Sequence, residues 1–342
     1  MAEIGIRVNA NDKIAMGHLM RCMSIAQQLA KAGHTVHVIL SEPYAEQLVL
    51  QNGFACTCLS RVYEQREMEI QELTGLVRQK GISCLLVDAY DLSFGYMQAL
   101  KQICKTVYLD DLKHFEYPAD LLIHYTCDAA SVMDEIQRDL SKKYLLGMRY
   151  APLREEFSVA GICIRERAEQ VLITTGGTDA YDMTVGILKE ISGRLRSKKH
   201  AVSGKFCHNQ TVLQEMAAAD NSIQVYHDIP DICQVMMTCD LAVSAGGGTL
   251  AELCACGVPT ICFAVADNQL PGIRMYADAG IMVYAGDVRH NREGVIQSVV
   301  ENIELLAGDY GKRKDMGRKA RQFVDGKGAS RIAQEITKLL AN

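Results

Sequence analysis

The sequence predicts an α/β protein built from two doubly wound halves, and three observations predict it. Short runs rich in β-branched and apolar residues alternate with amphipathic runs of helical period. The alternation restarts near the middle of the 342-residue chain. Each half carries a glycine-bearing turn that follows a strand and opens a helix: Gly17-His18 in the first and Gly246-Gly247-Gly248 in the second. Strands that alternate with helices imply a mostly parallel sheet covered on both faces. The expected division is 1–150 and 151–342, two Rossmann-like domains with an interdomain cleft, the last helix packing back on the first domain.

In the first half Ile4–Val8 reads as a strand and Leu19–Lys31 as a helix stopped by Gly33. Thr35–Leu40 is the next strand, and a helix over Pro43–Gln51 ends at Gly53. A long helix is expected over Glu64–Lys80, with Gly81 as its stop. Cys84–Asp88 has the unbroken apolar character of a buried strand. Phe94–Ile103 reads as a helix, and Thr106–Leu109 and Leu121–His124 as strands. Tyr150–Phe157 contains Pro152 and several charges and marks a domain edge. In the second half the expected strands are Gln170–Thr174, Lys199–Val202, Ser222–Tyr226, Leu241–Ser244 and Thr260–Phe263. The expected helices are Thr184–Arg194, Thr211–Ala218, Ile229–Thr238, Thr249–Cys256, Leu270–Ala279, Asn291–Leu306 and Arg313 to the end. The charges of Lys312–Arg321 read as the solvated face of a helix.

Composition narrows the function. Hydrophobic residues make up 49% and charged residues 23%, as in a globular enzyme with two cores. The net charge of −5 argues against a general nucleic-acid binder. The thirteen cysteines include no CxxC pair, and many sit in apolar runs. They read as small core residues of a reducing cytosol, with no metal site. No secretory leader or apolar stretch long enough to span a bilayer is recognisable, so a cytoplasmic location without membrane insertion is expected.

The candidate chemistry lies at the strand-to-helix turns, the carboxyl ends of strands where ligands bind in such sheets. His18 stands where a general base is useful, because imidazole titrates near neutrality. A helix-capping role is the alternative. Arg21, one turn later, either holds a phosphate or pairs with an acid. Asp88-Ala89-Tyr90-Asp91 follows a strand and reads as a polar turn. Ser244-Ala245-Gly246-Gly247-Gly248-Thr249 opens a helix whose unpaired N–H groups and dipole favour an anion such as a diphosphate. Thr249 adds a hydroxyl, and Glu252 suits ribose hydroxyls. A capping box between Thr249 and Glu252 is the alternative. The run is neither GxGxxG nor a P-loop. Thr175-Gly176-Gly177-Thr178-Asp179 repeats the theme, and Asp267-Asn268-Gln269 offers groups suited to sugar hydroxyls or to a water.

Taken together and in order, these segments resemble the PseG family. The resemblance is carried by Gly17-His18-Leu19-Met20-Arg21-Cys22, the turn at Asp88–Tyr90, Tyr150-Ala151-Pro152-Leu153-Arg154-Glu155-Glu156-Phe157, and the runs at 175–179, 244–253 and 266–269. It covers nearly the whole chain and shades into SpsG-like proteins and MurG-type glycosyltransferases. It implies a GT-B fold and hydrolysis of UDP-2,4-diacetamido-2,4,6-trideoxy-β-L-altropyranose in pseudaminic acid synthesis, with UDP and a free sugar as products. It implies that His18 is catalytic with Tyr90 and Asn268 nearby. UDP or sugar contacts would come from Gly17, Arg21, Gly176, Gly177, Ser244, Gly246, Gly247, Gly248, Thr249, Glu252, Asp267 and Gln269. No cofactor or metal is expected. A glycosyltransferase using the same donor is the alternative.

Overall fold

A computed structural model describes residues 1–10, 16–60, 68–90, 92–110, 116–126, 142–159, 161–204, 206–229 and 231–341. The chain divides into two compact units. The first holds Met1–Glu155 together with Lys327–Asn342, the second Glu156–Gly326. The division thus falls five residues beyond the expected 150/151, and the final helix belongs to the first unit.

In the first unit the strands are β1 (Glu3–Val8), β2 (Thr35–Leu40), β3 (Ala55–Cys58), β4 (Cys84–Asp88), β5 (Lys105–Leu109), β6 (Leu121–His124) and β7 (Lys143–Leu146). They form one parallel sheet in the order β3-β2-β1-β4-β5-β6-β7. The helices are α1 (Gly17–Lys31), α2 (Glu46–Gln51), α3 (Ile70–Lys80) and α4 (Phe94–Lys101), with a 3-10 turn at Pro43–Ala45. The start of the helix expected over Glu64–Lys80 lies partly outside the described residues.

The second unit begins with a single helical turn, α5 (Glu156–Val159). Its strands are β8 (Gln170–Thr174), β9 (Lys198–Ser203), β10 (Ile223–His227), β11 (Leu241–Ala245), β12 (Thr260–Ala264) and β13 (Met282–Asp287). They too are parallel, ordered β10-β9-β8-β11-β12-β13. Its helices are α6 (Met183–Ile191), α7 (Gln210–Ala219), α8 (Ile232–Thr238), α9 (Thr249–Cys256), α10 (Leu270–Asp278), α11 (Arg292–Gly308) and α12 (Tyr310–Phe323). In both sheets the strand order reverses beside the unit's first strand, between β1 and β4 and between β8 and β11. That topological switch opens a crevice at the carboxyl ends of the two strands.

Three strands were not anticipated from the sequence: β3, β7 and β13. Each is an edge strand. Most of their residues are only half-buried, so they lack the continuous apolar run that marks a central strand of a parallel sheet.

The expected helix from Arg313 to the end is two helices. Val324–Lys327 breaks it before α13 (Gly328–Ala341). Gly326 has φ +74°, and the carbonyl oxygen of Phe157 occupies the place of a Cβ. α13 then packs on α1, adding Ala329, Ile332, Ala333 and Ile336 to the core around β1 and β4. Gly326→Ala is expected to lower stability by about 1–3 kcal/mol, from left-handed strain and the clash with backbone. An unchanged urea midpoint would contradict this account of the break.

The reading of Lys312–Arg321 as a solvated face also needs correction. Arg313 is fully buried. Its guanidinium donates to the carbonyls of Leu306, Ala307, Arg165 and Glu166, joining the end of α11 to the segment before β8. Carbonyls at a helix end lack partners within the helix, and a buried arginine supplies them.

The described cysteines are free thiols, and eight are buried inside the two units, Cys22 and Cys262 among them. Among the described residues no three His, Cys, Asp or Glu side chains group as metal ligands. No described helix is long and apolar enough to cross a membrane.

Candidate active site

In the first unit the switch between β1 and β4 brings together residues far apart in sequence. Val8 and Asp88 are register partners at the ends of the two strands. α1 starts at Gly17, and its helical period puts His18, Arg21 and Cys22 on one face, three and four residues apart. All three meet Asp88. His18 Nδ1 lies 2.7 Å from Asp88 Oδ1. Arg21 grips the carboxylate as a fork, Nε donating to Oδ2 at 2.7 Å and Nη2 to Oδ1 at 2.5 Å. Cys22 Sγ donates to Oδ2 at 3.3 Å. Arg21 Nη1 also donates to the hydroxyl of Tyr125, just past β6, at 2.7 Å. The Tyr90 ring meets the His18 imidazole edge-on, centroids 4.6 Å apart.

Charge settles the histidine's orientation. Burial alone would push the Asp88 carboxyl up. The Arg21 guanidinium and the hydrogen bonds from Arg21 and His18 outweigh it and bring the carboxyl down to about 2. Asp88 is therefore an ionised acceptor at neutral pH, and the proton in its bond with His18 sits on Nδ1. In neutral His18 the lone pair is then on Nε2, on the far side of the ring from Asp88. That is the arrangement of a general base oriented by a carboxylate. Among the described residues no side chain caps α1, so the capping alternative for His18 is not realised there.

In the second unit the corresponding switch lies between β8 and β11. The penultimate residue of β11 is buried Ser244, whose hydroxyl donates to the Ala245 carbonyl. A Cβ on Gly246 would stand 2.6 Å from Gln269 Oε1 and 2.8 Å from Ile273 Cδ1, so any side chain there must displace both. Gly247 has φ +134°, again a glycine conformation. Gly248 is the residue before α9, and no side chain caps the helix. The capping box between Thr249 and Glu252 is thus not formed. Thr249 opens the first turn, and Glu252 lies within it. α9 itself is held by buried Leu250, Ala251, Leu253 and Cys254.

The other two turns of this edge are tethered. After β8, Gly176 takes φ +88°, and Gly177 and Thr178 are exposed. Asp179 is buried and accepts from the backbone N–H groups of Met183 and Thr184, so it caps α6. After β12, Gln269 Oε1 accepts the Val265 N–H at 2.9 Å. Arg289, beyond β13, bridges Asp267 at 2.7 Å and Asp287 at 2.6 Å. Between these tethers Asn268 is exposed.

The sequence-derived candidates therefore form two groups. Gly17, His18, Arg21 and Tyr90 share the switch of the first unit. Gly176, Gly177, Ser244, Gly246, Gly247, Gly248, Thr249, Glu252, Asp267, Asn268 and Gln269 share the carboxyl edge of the second sheet. Ser244 and Gln269 face protein partners. Arg21 is committed to Asp88 and Tyr125. Three residues were missed. Asp88 was read as part of a polar turn, although a carboxylate ending an apolar strand was a usable signal. Tyr125 and Arg289 carry no local signal, because only the sheet order brings them to their partners. A groove of about 900 Å³ between α6, α7 and α11 is lined by other residues, Lys189, His208 and Arg292 among them.

No family model matches the chain. It is 23% identical over 238 residues to the UDP-2,4-diacetamido-2,4,6-trideoxy-beta-L-altropyranose hydrolase of Campylobacter jejuni, covering 68% of this chain and 81% of that protein. It is 21% identical over 343 aligned positions to the spore coat polysaccharide biosynthesis protein SpsG of Bacillus subtilis, covering 96% of each. A match to an uncharacterised Methanocaldococcus jannaschii protein spans 55% of that protein's length. Among solved structures, Acinetobacter baumannii MurG aligns with a TM-score of 0.70 at 13% identity, over 98% of this chain and 99% of that one. The structural neighbours include GT-B glycosyltransferases such as MurG, and the fold is theirs.

Proposed function

We propose that this chain, a GT-B protein with enzymes of UDP-sugars among its homologues, is a nucleotide-sugar hydrolase. It would release UDP and a free 2,4-diacetamido-2,4,6-trideoxy hexose, as in pseudaminic acid-type synthesis. The observation that supports this reading best is the His18–Asp88 pair, which leaves Nε2 of a neutral imidazole as proton acceptor. His18 takes a proton from water as the oxygen attacks the anomeric carbon. The bond from that carbon to the diphosphate oxygen breaks, and UDP leaves with the electron pair. Attack opposite the leaving group inverts the carbon. Tyr90 and Asn268 orient the water or the sugar. The start of α9 takes the diphosphate on backbone N–H groups, where helix dipole and donors favour negative charge. Those donors stabilise the charge that develops on the leaving group. Glu252 accepts from the ribose.

The MurG likeness favours one second reading, a glycosyltransferase in which His18 deprotonates an acceptor hydroxyl. Acceptor-free incubation with a panel of UDP-diacetamido-trideoxy sugars separates the two. Release of UDP and free sugar supports the hydrolase. Binding of UDP with release only after an acceptor is added supports the transferase.

The diphosphate assignment has its own test. Gly246→Val drives a side chain into Gln269 and Ile273 and displaces the turn. UDP affinity measured by calorimetry is expected to fall at least about tenfold, since a misplaced donor loses a charge-assisted hydrogen bond. Unchanged affinity would move the diphosphate elsewhere.

A further inference from the structure

The turn that carries Asn268 is held from both sides, and one of the holds comes from the edge of the sheet. Strands β12 and β13 pair Cys262 with Tyr284 and then Phe263 with Gly286, so β13 carries one extra residue between the two pairs. Gly286 takes φ +132° there. Such a bulge re-aims the side chains that follow it. Asp287 comes to lie opposite Ala264, the last residue of β12, and Arg289 follows two residues on. Asp287 Oδ1 accepts the backbone N–H of Arg289 at 3.1 Å and its Nε at 3.0 Å, and Oδ2 accepts Nη2 at 2.6 Å. The same Nη2 donates to Asp267 Oδ1 at 2.7 Å. We infer that Arg289 is a positioning residue that acts through Asp267 to set where Asn268 stands. This role deepens the proposed reaction and rests on Asn268 taking part in it.

Exposure separates the parts of this tether. The side chain of Asp287 is 10% exposed, that of Arg289 22% and that of Asp267 87%. A surface ion pair is weak largely because two long side chains must be ordered to make it. Here the fork on Asp287 already orders the guanidinium, so Asp267 meets a fixed donor. Hydrogen bonds from Arg289 hold both carboxyls below their ordinary values, so both are ionised at neutral pH. Asp267 remains largely in water, and its pairing adds little to stability. Its effect is on geometry. Asp267 is bonded to Arg289 on one side of Asn268, and Gln269 Oε1 accepts the Val265 N–H on the other. Asn268 itself is exposed and takes its place from these two neighbours. Asp267, expected as a UDP or sugar contact, has its Oδ1 committed to Arg289. A catalytic contact displaced by about 1 Å can lose on the order of 100-fold in rate.

The test joins kinetics to backbone order. Acceptor-free UDP release from UDP-2,4-diacetamido-2,4,6-trideoxy-β-L-altropyranose is measured for wild type, Asp267→Ala, Arg289→Gln, Asn268→Ala and the two doubles with Asn268→Ala. Asp267→Ala cuts the tether at an exposed side chain, so it should melt within about 3 °C of wild type. Its kcat is nonetheless expected to fall about tenfold, and that of Arg289→Gln at least as far. In the Asn268→Ala background neither change should cost more than about twofold, because residues that act through one group do not add. The order parameter of the Asn268 backbone amide, read by NMR relaxation in the ligand-free protein, should drop from about 0.85 to below about 0.6 in Asp267→Ala and Arg289→Gln. An unchanged order parameter in Asp267→Ala, an unchanged kcat in that variant, or losses that add fully to Asn268→Ala each overturn the inference. Arg289→Gln deprives Asp287 of its partner, and Asp267→Ala keeps the test decisive should that variant fail to fold. A protein that hydrolyses no UDP-sugar but loses order at Asn268 in both variants upholds the hold of Arg289 and sinks the proposed reaction instead.

Discussion

His18→Ala is expected to reduce acceptor-free UDP release by about 100- to 10,000-fold, the usual contribution of a positioned general base. The loss should fall on kcat, with KM little changed, because the imidazole acts on the proton of the attacking water rather than on the bound nucleotide. UDP affinity by calorimetry should stay within about twofold of wild type, since the α9 site lies in the other unit. His18→Gln gives a sharper control. It keeps a polar side chain of similar reach but has no basic nitrogen, so it should be as slow as alanine. A variant that retains most of the wild-type rate would remove His18 from the mechanism.

Asp88→Asn is expected to lower kcat by about 100- to 10,000-fold while leaving the fold intact, because a neutral amide no longer dictates the proton's position on the imidazole. The amide offers an N–H as readily as a carbonyl. Where the N–H faces His18, Nδ1 must accept it and the proton moves to Nε2, which then cannot act as a base. The same variant tests the acid behaviour of the fold. The folded-state carboxyl sits at about 2, below its ordinary 3.8. Its contribution is present above pH ~4 and is lost as the pH falls through the folded value, on the order of 2 kcal/mol in all. Wild type should therefore lose stability between about pH 4 and 2 more steeply than Asp88→Asn does. Equal slopes in urea denaturation across that window would mean that Asp88 is not held as the ion-paired acceptor at the centre of the site.

The two substitutions also separate chemistry from architecture. Removing His18 deletes a partly exposed ring. Removing the Asp88 charge leaves a half-buried Arg21 beside a neutral group, with its fork bonded to an amide. Truncating one member of a buried ionic network is commonly more destabilising than the network is stabilising. Melting temperatures should thus fall more for Asp88→Asn than for His18→Ala.

How far the sequence carried the site follows from where its signals are local. His18 was legible because glycine and histidine stand together at a strand-to-helix turn, and the Gly246–Thr249 turn because three glycines interrupt an apolar run. Tyr90 came with the turn after β4. Asp88 was in view but misjudged, since its partners on α1 lie about seventy positions away. Tyr125 and Arg289 had no local signature. Arg21 was read as holding a phosphate or pairing with an acid, and it is bonded to the missed carboxylate.

By itself the sequence determined the fold class, the buried central strands, most of the helices, and the two glycine turns at the carboxyl ends of strands. These follow from period, from side-chain branching and from backbone freedom, properties that act within a few residues. The tertiary structure decided the edge strands β3, β7 and β13, the break at Gly326 and return of α13 to α1, the burial of Arg313 among carbonyls, and the grip of Arg21 and His18 on Asp88. Each depends on which distant segment comes to lie alongside. A half-buried strand needs a neighbour to be a strand, and a charge is buried only where folding brings it partners that replace water.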